Sequence, residues 1–150
     1  MRWVRALAGF RGRLRRRDFW IGLGLLLLIL IALSFGFAGL MRPTGATELE
    51  RAAAWVALVI LVWVSAALIV KRLHDRDKSA LWYPLFGLAP ALCYHLGVVY
   101  SSNISNVLSR AQRFFWLLGA ALWVWALIEL GFLPGTRGPN HYGPDPHAAL

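Results

Sequence analysis

Four stretches of this chain, at about 19–40, 52–70, 81–100 and 114–133, are apolar over the length of a bilayer crossing. A helix needs about 20 mostly apolar residues to traverse about 30 Å of hydrocarbon. The first two stretches contain no charged residue; the third includes Pro84, Pro90 and His95, and the fourth carries Glu129. Lipid offers no partner to an unpaired N–H or C=O, so isolated spans of this kind must be helical. The alternation of membrane barrel strands is absent. Composition agrees, with 59% of the 150 residues hydrophobic and 15% charged, whereas soluble domains carry about 25% charged residues. A soluble globule this small would leave too much apolar surface in water. The expected fold is an all-α membrane protein with four transmembrane helices.

The formal charge of +9 is unevenly placed. Arg2, Arg5, Arg11, Arg13, Arg15, Arg16 and Arg17 precede the first span. Lys71, Arg72, Arg76 and Lys78 lie between the second and third, and Arg137 follows the fourth. Those 12 cations share one side, against Arg42, Arg51, Arg110 and Arg113, which are 4 on the other. The positive-inside rule therefore puts the N- and C-termini in the cytoplasm. The first span is too long for a signal sequence and ends in no clear cleavage pattern, so it reads as an uncleaved helix. The chain divides into a basic amphipathic N-terminal arm (1–18), a four-helix transmembrane domain (19–133) and a Pro/Gly-rich cytoplasmic tail (134–150) packed against or near it.

Three segments outside the spans carry a pattern. The first places Phe10, Gly12, Arg13 and Arg16 ahead of Phe19 and Trp20. The second is Arg72, Leu73, His74 and Asp75, followed by Ser79 and Trp82. The third is the tail motif of Asn140, Tyr142, Gly143, Pro144, Asp145 and Pro146. In order and spacing they resemble the bacterial inner-membrane family catalogued as domain of unknown function 805. The resemblance covers the chain from Phe10 to Pro146. It implies a location and a fold class, and no activity. Ala80 and Leu81 stand where that family usually has Gly and Trp, which makes the turn after the second box less permissive, since Ala does not take positive φ as Gly does.

With four spans, all three boxes lie at the cytoplasmic face. Arg11, Arg13, Arg16 and Arg72, with His74, then meet Asp75, Glu129 and Asp145 in one charged cluster that ties the helix ends together. Arg72 and Asp75 are three apart and pair if the helix continues. His74 and Asp75 suggest an acid–base couple, but adjacent helical residues do not face one another. Glu129 and His95 differ in depth by about 15 Å at 1.5 Å per residue, so they form no shared proton path, and Glu129 is expected to pair with an arginine of the cluster. Pro90 should kink the third span. Trp3, Leu7, Phe10 and Leu14 fall on one face of a helical arm suited to the anionic inner leaflet.

Other signals are weak. Cys93 is the single cysteine and gives no disulfide or zinc pattern. The triplet starting at Asn103 matches a glycosylation acceptor. His141 and His147 have no metal-site spacing, and no pattern points to a cofactor or metal. The basic arm lacks a nucleic-acid motif and lies beside lipid phosphates, which disfavours nucleic acid as a partner. The leading reading is an interaction protein, binding anionic lipid headgroups or a partner membrane protein through its charged cytoplasmic face. The alternative is a subunit of a homo-oligomeric transporter or channel for ions or small solutes. A membrane enzyme using His74 and Asp75 comes third.

Overall fold

The computed structural model describes residues 9–40, 47–101 and 110–146. Trp3, Leu7, the Asn103 triplet and His147 lie outside the described residues. The first long helix, α1 (Arg16–Leu40), opens with the arginine run and continues into the first apolar stretch. The second, α2 (Glu48–Asp75), starts on a capping box: the Thr47 hydroxyl accepts the Glu50 N–H at 3.3 Å, and the Glu50 carboxylate accepts the Thr47 N–H at 2.7 Å. These contacts satisfy two of the donors that a helix start leaves unpaired.

Helix α2 does not stop where its apolar run stops. The box at 71–75 remains helical, and the chain turns only afterwards. There the Asp77 N–H reaches the His74 carbonyl at 3.1 Å and the Lys78 N–H reaches Leu73 at 2.9 Å, the paired bonds of a Schellman ending. Asp77 takes φ 55°, a left-handed conformation that Asp tolerates better than most residues. Ala80 belongs instead to a 3-10 turn, Ala80–Trp82. The restriction expected from Ala in place of Gly therefore falls on a residue that needs no positive φ.

A π-helical segment, Pro84–Leu88, leads into α3 (Ala89–Ser101). Pro90 lacks an N–H, and its ring crowds the carbonyl four residues back. Here the preceding turn is wider, with the Ala89 N–H bonded to the Pro84 carbonyl; a local π adjustment is one way a membrane helix accommodates proline. The last helix, α4 (Arg110–Ala126), also passes into a π-helical segment, Leu127–Phe132. Three stretches, Glu48–Asp75, Ala80–Val99 and Arg110–Phe132, are long and apolar enough to cross a membrane. No strand occurs among the described residues; an isolated antiparallel bridge joins Asn140 to Gly143.

The helices pack as two hairpins, α1 with α2 and α3 with α4. Among the described residues, the hairpins approach each other only through 80–88 and 127–132. The core sits at that end, where Leu14, Phe19, Leu68, Leu73, Phe86, Ala126 and Leu130 are buried together. Elsewhere large apolar side chains such as Leu28, Trp55 and Leu117 face outward, as lipid-facing helices require.

The described part of the arm departs from its expected helical face. Residues 9–15 are not helical, and Gly12 has φ +92°, which ends any helical register there. Phe10 meets the Trp63 ring edge-on at 4.9 Å, and Leu14 enters the core. This part of the arm folds back onto α2 rather than extending α1.

Candidate functional site

The starts of α1 and of the 3-10 turn, and the ends of α2 and of the second π segment, come together at one end of the bundle. Two helix C-termini there present carbonyls that their own helices cannot satisfy. Side chains from the three sequence boxes take them up. At the end of the second π segment, Leu130 O accepts from Arg72 Nε at 2.6 Å. Gly131 O accepts from Trp20 Nε1 at 3.0 Å and Phe132 O from Arg16 at 3.0 Å. Leu133 O accepts from Arg72 Nη2, and Pro134 O from Arg76 at 2.7 Å. Five consecutive carbonyls thus find side-chain donors on α1, on α2 and in the turn after α2.

The end of α2 is served from the arm and the tail. Lys71 O accepts the Leu14 N–H at 3.3 Å, and Asp75 O the Thr136 N–H at 2.8 Å. His74 O accepts from Asn140 Nδ2 at 2.9 Å. The His74 ring stacks on Tyr142, with centroids 3.9 Å apart, and its Nδ1 faces the Gly12 carbonyl at 3.3 Å.

Asp75 is the hub. Arg13 Nε donates to Oδ1 at 3.0 Å and Arg72 Nη1 donates to Oδ2, with all three side chains at most 1% exposed. Arg13 also donates to Gly138 O at 2.6 Å and to Thr136 O, which ties the arm to the tail. Arg72 reaches Leu14 O at 3.4 Å. The fork of a guanidinium allows one side chain to serve several acceptors at once. Gly135 packs so closely that a Cβ there would run into the Asp75 carboxylate. A side chain at 135 would displace the hub carboxylate.

Of the residues expected to cluster, Arg13, Arg72 and Asp75 form this buried triad. Arg16 joins through Phe132 O but remains exposed. Asp145 Oδ2 accepts the Gly138 N–H at 2.8 Å and so holds the tail loop that Arg13 grips. Glu129 pairs with Arg76 at 2.9 Å and Lys78 at 2.7 Å, neither of them among the arginines first assigned to the cluster. Lys78 also lies 5.0 Å from the Trp82 ring centroid. Arg11 is exposed. His74 and Asp75 make no couple: the imidazole turns to Gly12 and Tyr142, while arginines hold both carboxylate oxygens. His95 is exposed on α3.

Sequence reasoning missed Arg76, Lys78, Thr136 and Gly135. The first two had a signal, since they lie in the turn at the same end as Glu129. Thr136 and Gly135 had none.

The three boxes therefore form one continuous assembly. A model of the family described as "protein of unknown function (DUF805)" matches residues 7–144. The chain belongs to this family. It is 34% identical to the uncharacterized protein YiiR of Escherichia coli strain K12, over 93% of this chain and 86% of the relative. It is 29% identical to the inner membrane protein YhaH of the same strain, over 92% of this chain and 87% of the relative. No solved structure matches. Three membrane-length apolar helices and this kinship make the chain a multi-pass inner-membrane protein of the DUF805 family.

Proposed function

We propose that this DUF805 protein crosses the inner membrane four times, with both termini in the cytoplasm, and binds anionic lipid headgroups through its charged end. α1 supports the fourth span: its 25 residues reach about 37 Å at 1.5 Å per residue, more than the hydrocarbon thickness. The distribution of Lys and Arg supports the orientation.

The observation that carries the binding reading is the division of the charged end into a closed interior and an open rim. The buried side chains of the Arg13–Asp75–Arg72 triad are engaged with one another and with internal carbonyls. Outside it, exposed Arg16 and Arg137 line a cavity of about 250 Å³ with Arg72, Pro134, Gly135, Thr136 and Asp145. A lipid phosphate at the cytoplasmic surface is the nearest abundant anion, and each cation near that surface is worth roughly 1 kcal/mol of attraction. The transport reading gains no support: Glu129 is held by Arg76 and Lys78, and His95 faces outward.

Native mass spectrometry from mild detergent tests the proposal. The wild-type protein should retain phosphatidylglycerol over phosphatidylethanolamine. The double variant Arg16→Gln, Arg137→Gln should lose most of that preference with only a small drop in the denaturation midpoint, since the Arg16 bond to Phe132 O is exposed. Equal retention of the two lipids by the wild type would overturn it.

A further inference from the structure

The charged end is not the only place where the bundle leaves room. Between the two hairpins lies a second cavity of about 250 Å³, bordered by Leu23, Leu26, Leu61, Phe86, Trp123 and Leu127 among others. We propose that it holds one acyl chain of a membrane phospholipid.

Four observations carry this. First, among the described residues the hairpins meet only at 80–88 and 127–132, so beyond that junction their facing surfaces are not filled by each other. The space is a groove partly open to the surroundings, so in a bilayer it lies open to lipid chains. Second, its chemistry excludes water: the lining is almost wholly apolar, and apolar cavities stay dry. The Ser65 hydroxyl on its wall is already bonded to the Val62 carbonyl at 2.8 Å.

Third, the dimensions fit one leaflet. The lining runs from Phe19 to Leu30 on α1 and from Leu58 to Ile69 on α2. Each run is about 16 Å at 1.5 Å per residue, near half of the roughly 30 Å hydrocarbon core. It begins beside the charged end, at Phe19 and Leu130, where a phospholipid headgroup would stand. Fourth, both π-helical segments contribute to its wall, through Phe86 and Gly87 on one and Leu127 and Leu130 on the other. π segments inside helices recur at functional sites. Two of them on adjacent helices widen the same wall.

The chain site does not depend on the basic rim, and the test keeps the two apart. Phosphatidylcholine carrying a diazirine midway along one acyl chain supplies a probe with no net headgroup charge. Irradiated in bilayers with the full-length protein, it should give adducts on Leu61, Trp123 or Leu127 that saturate at one lipid per chain. Ala126→Phe and Leu61→Phe, which fill the cavity from different helices, should each lower that adduct at least fivefold. Adducts confined to outward-facing residues such as Leu28 and Leu117 would overturn the proposal. So would disulfide-linked dimers of Leu61→Cys in a Cys93→Ser background, which would place a second copy there. The wild-type adduct map decides the matter even if a filling variant fails to fold. Loss of the phosphatidylglycerol preference with the chain adduct intact would sink the headgroup reading alone, and the reverse result would sink this one alone.

Discussion

Asp75 sits between Arg13 and Arg72 with no side chain of the three more than 1% exposed. Two cations and one carboxylate leave a single positive charge. The C-terminal ends of α2 and of the second π segment, each equivalent to roughly −0.5 charge, bring the buried layer close to neutral. Removing the carboxylate strands two buried guanidinium groups. Asp75→Asn should therefore lower stability by about 3–5 kcal/mol, read from tryptophan fluorescence during denaturation in mild detergent, and an unchanged midpoint would contradict the hub. Gly135→Ala should destabilise in the same assay, because its methyl group takes the place of the carboxylate. The Arg72–Asp75 pair was legible from spacing alone, being three residues apart on a helix. The Arg13 contact was not: its partner is 62 residues away, and only the folding-back of residues 9–15 joins them. Gly135 was silent in sequence because its role is to leave space.

At the scale of elements, the charged end is a solution to carbonyl accounting. Carbonyls 130 to 134 leave the second π segment without internal partners, and Arg72, Trp20, Arg16 and Arg76 divide them. Lysine is a single point donor and lacks the fork this division uses. Arg72→Lys keeps the charge yet should cost about 1–3 kcal/mol for each buried acceptor left unserved, and full stability in the denaturation assay would show that charge alone suffices. The apolar spans were plain in sequence because hydrocarbon selects residue type directly. Their ends were not. The helical continuation through 71–75 depends on partners from the arm and tail, which let charged residues finish a helix. Conversely, the spacing of Trp3, Leu7, Phe10 and Leu14 suggested a helix that Gly12 interrupts within 9–15. The first π segment lies beside Pro84 and Pro90, and no local pattern announces the second.

At the scale of the molecule, two hairpins are clasped at one end by pairs hidden from solvent, with exposed cations around the clasp. Salt should separate these layers. At 1 M the Debye length is about 3 Å, so the phosphatidylglycerol preference attributed to Arg16 and Arg137 should fall sharply. The denaturation midpoint, set by buried pairs, should hardly move; a large parallel drop would mean that the rim maintains the fold. Headgroup binding further requires that the clasped end face the cytoplasm. Single cysteines in a Cys93→Ser background report this most directly: Arg137→Cys marks the clasped end and Glu48→Cys the opposite one. With a membrane-impermeant maleimide, Arg137→Cys should label only in inside-out vesicles and Glu48→Cys only in right-side-out spheroplasts. Labelling of Arg137→Cys from outside intact spheroplasts would contradict the proposed orientation and the lipid-binding role built on it.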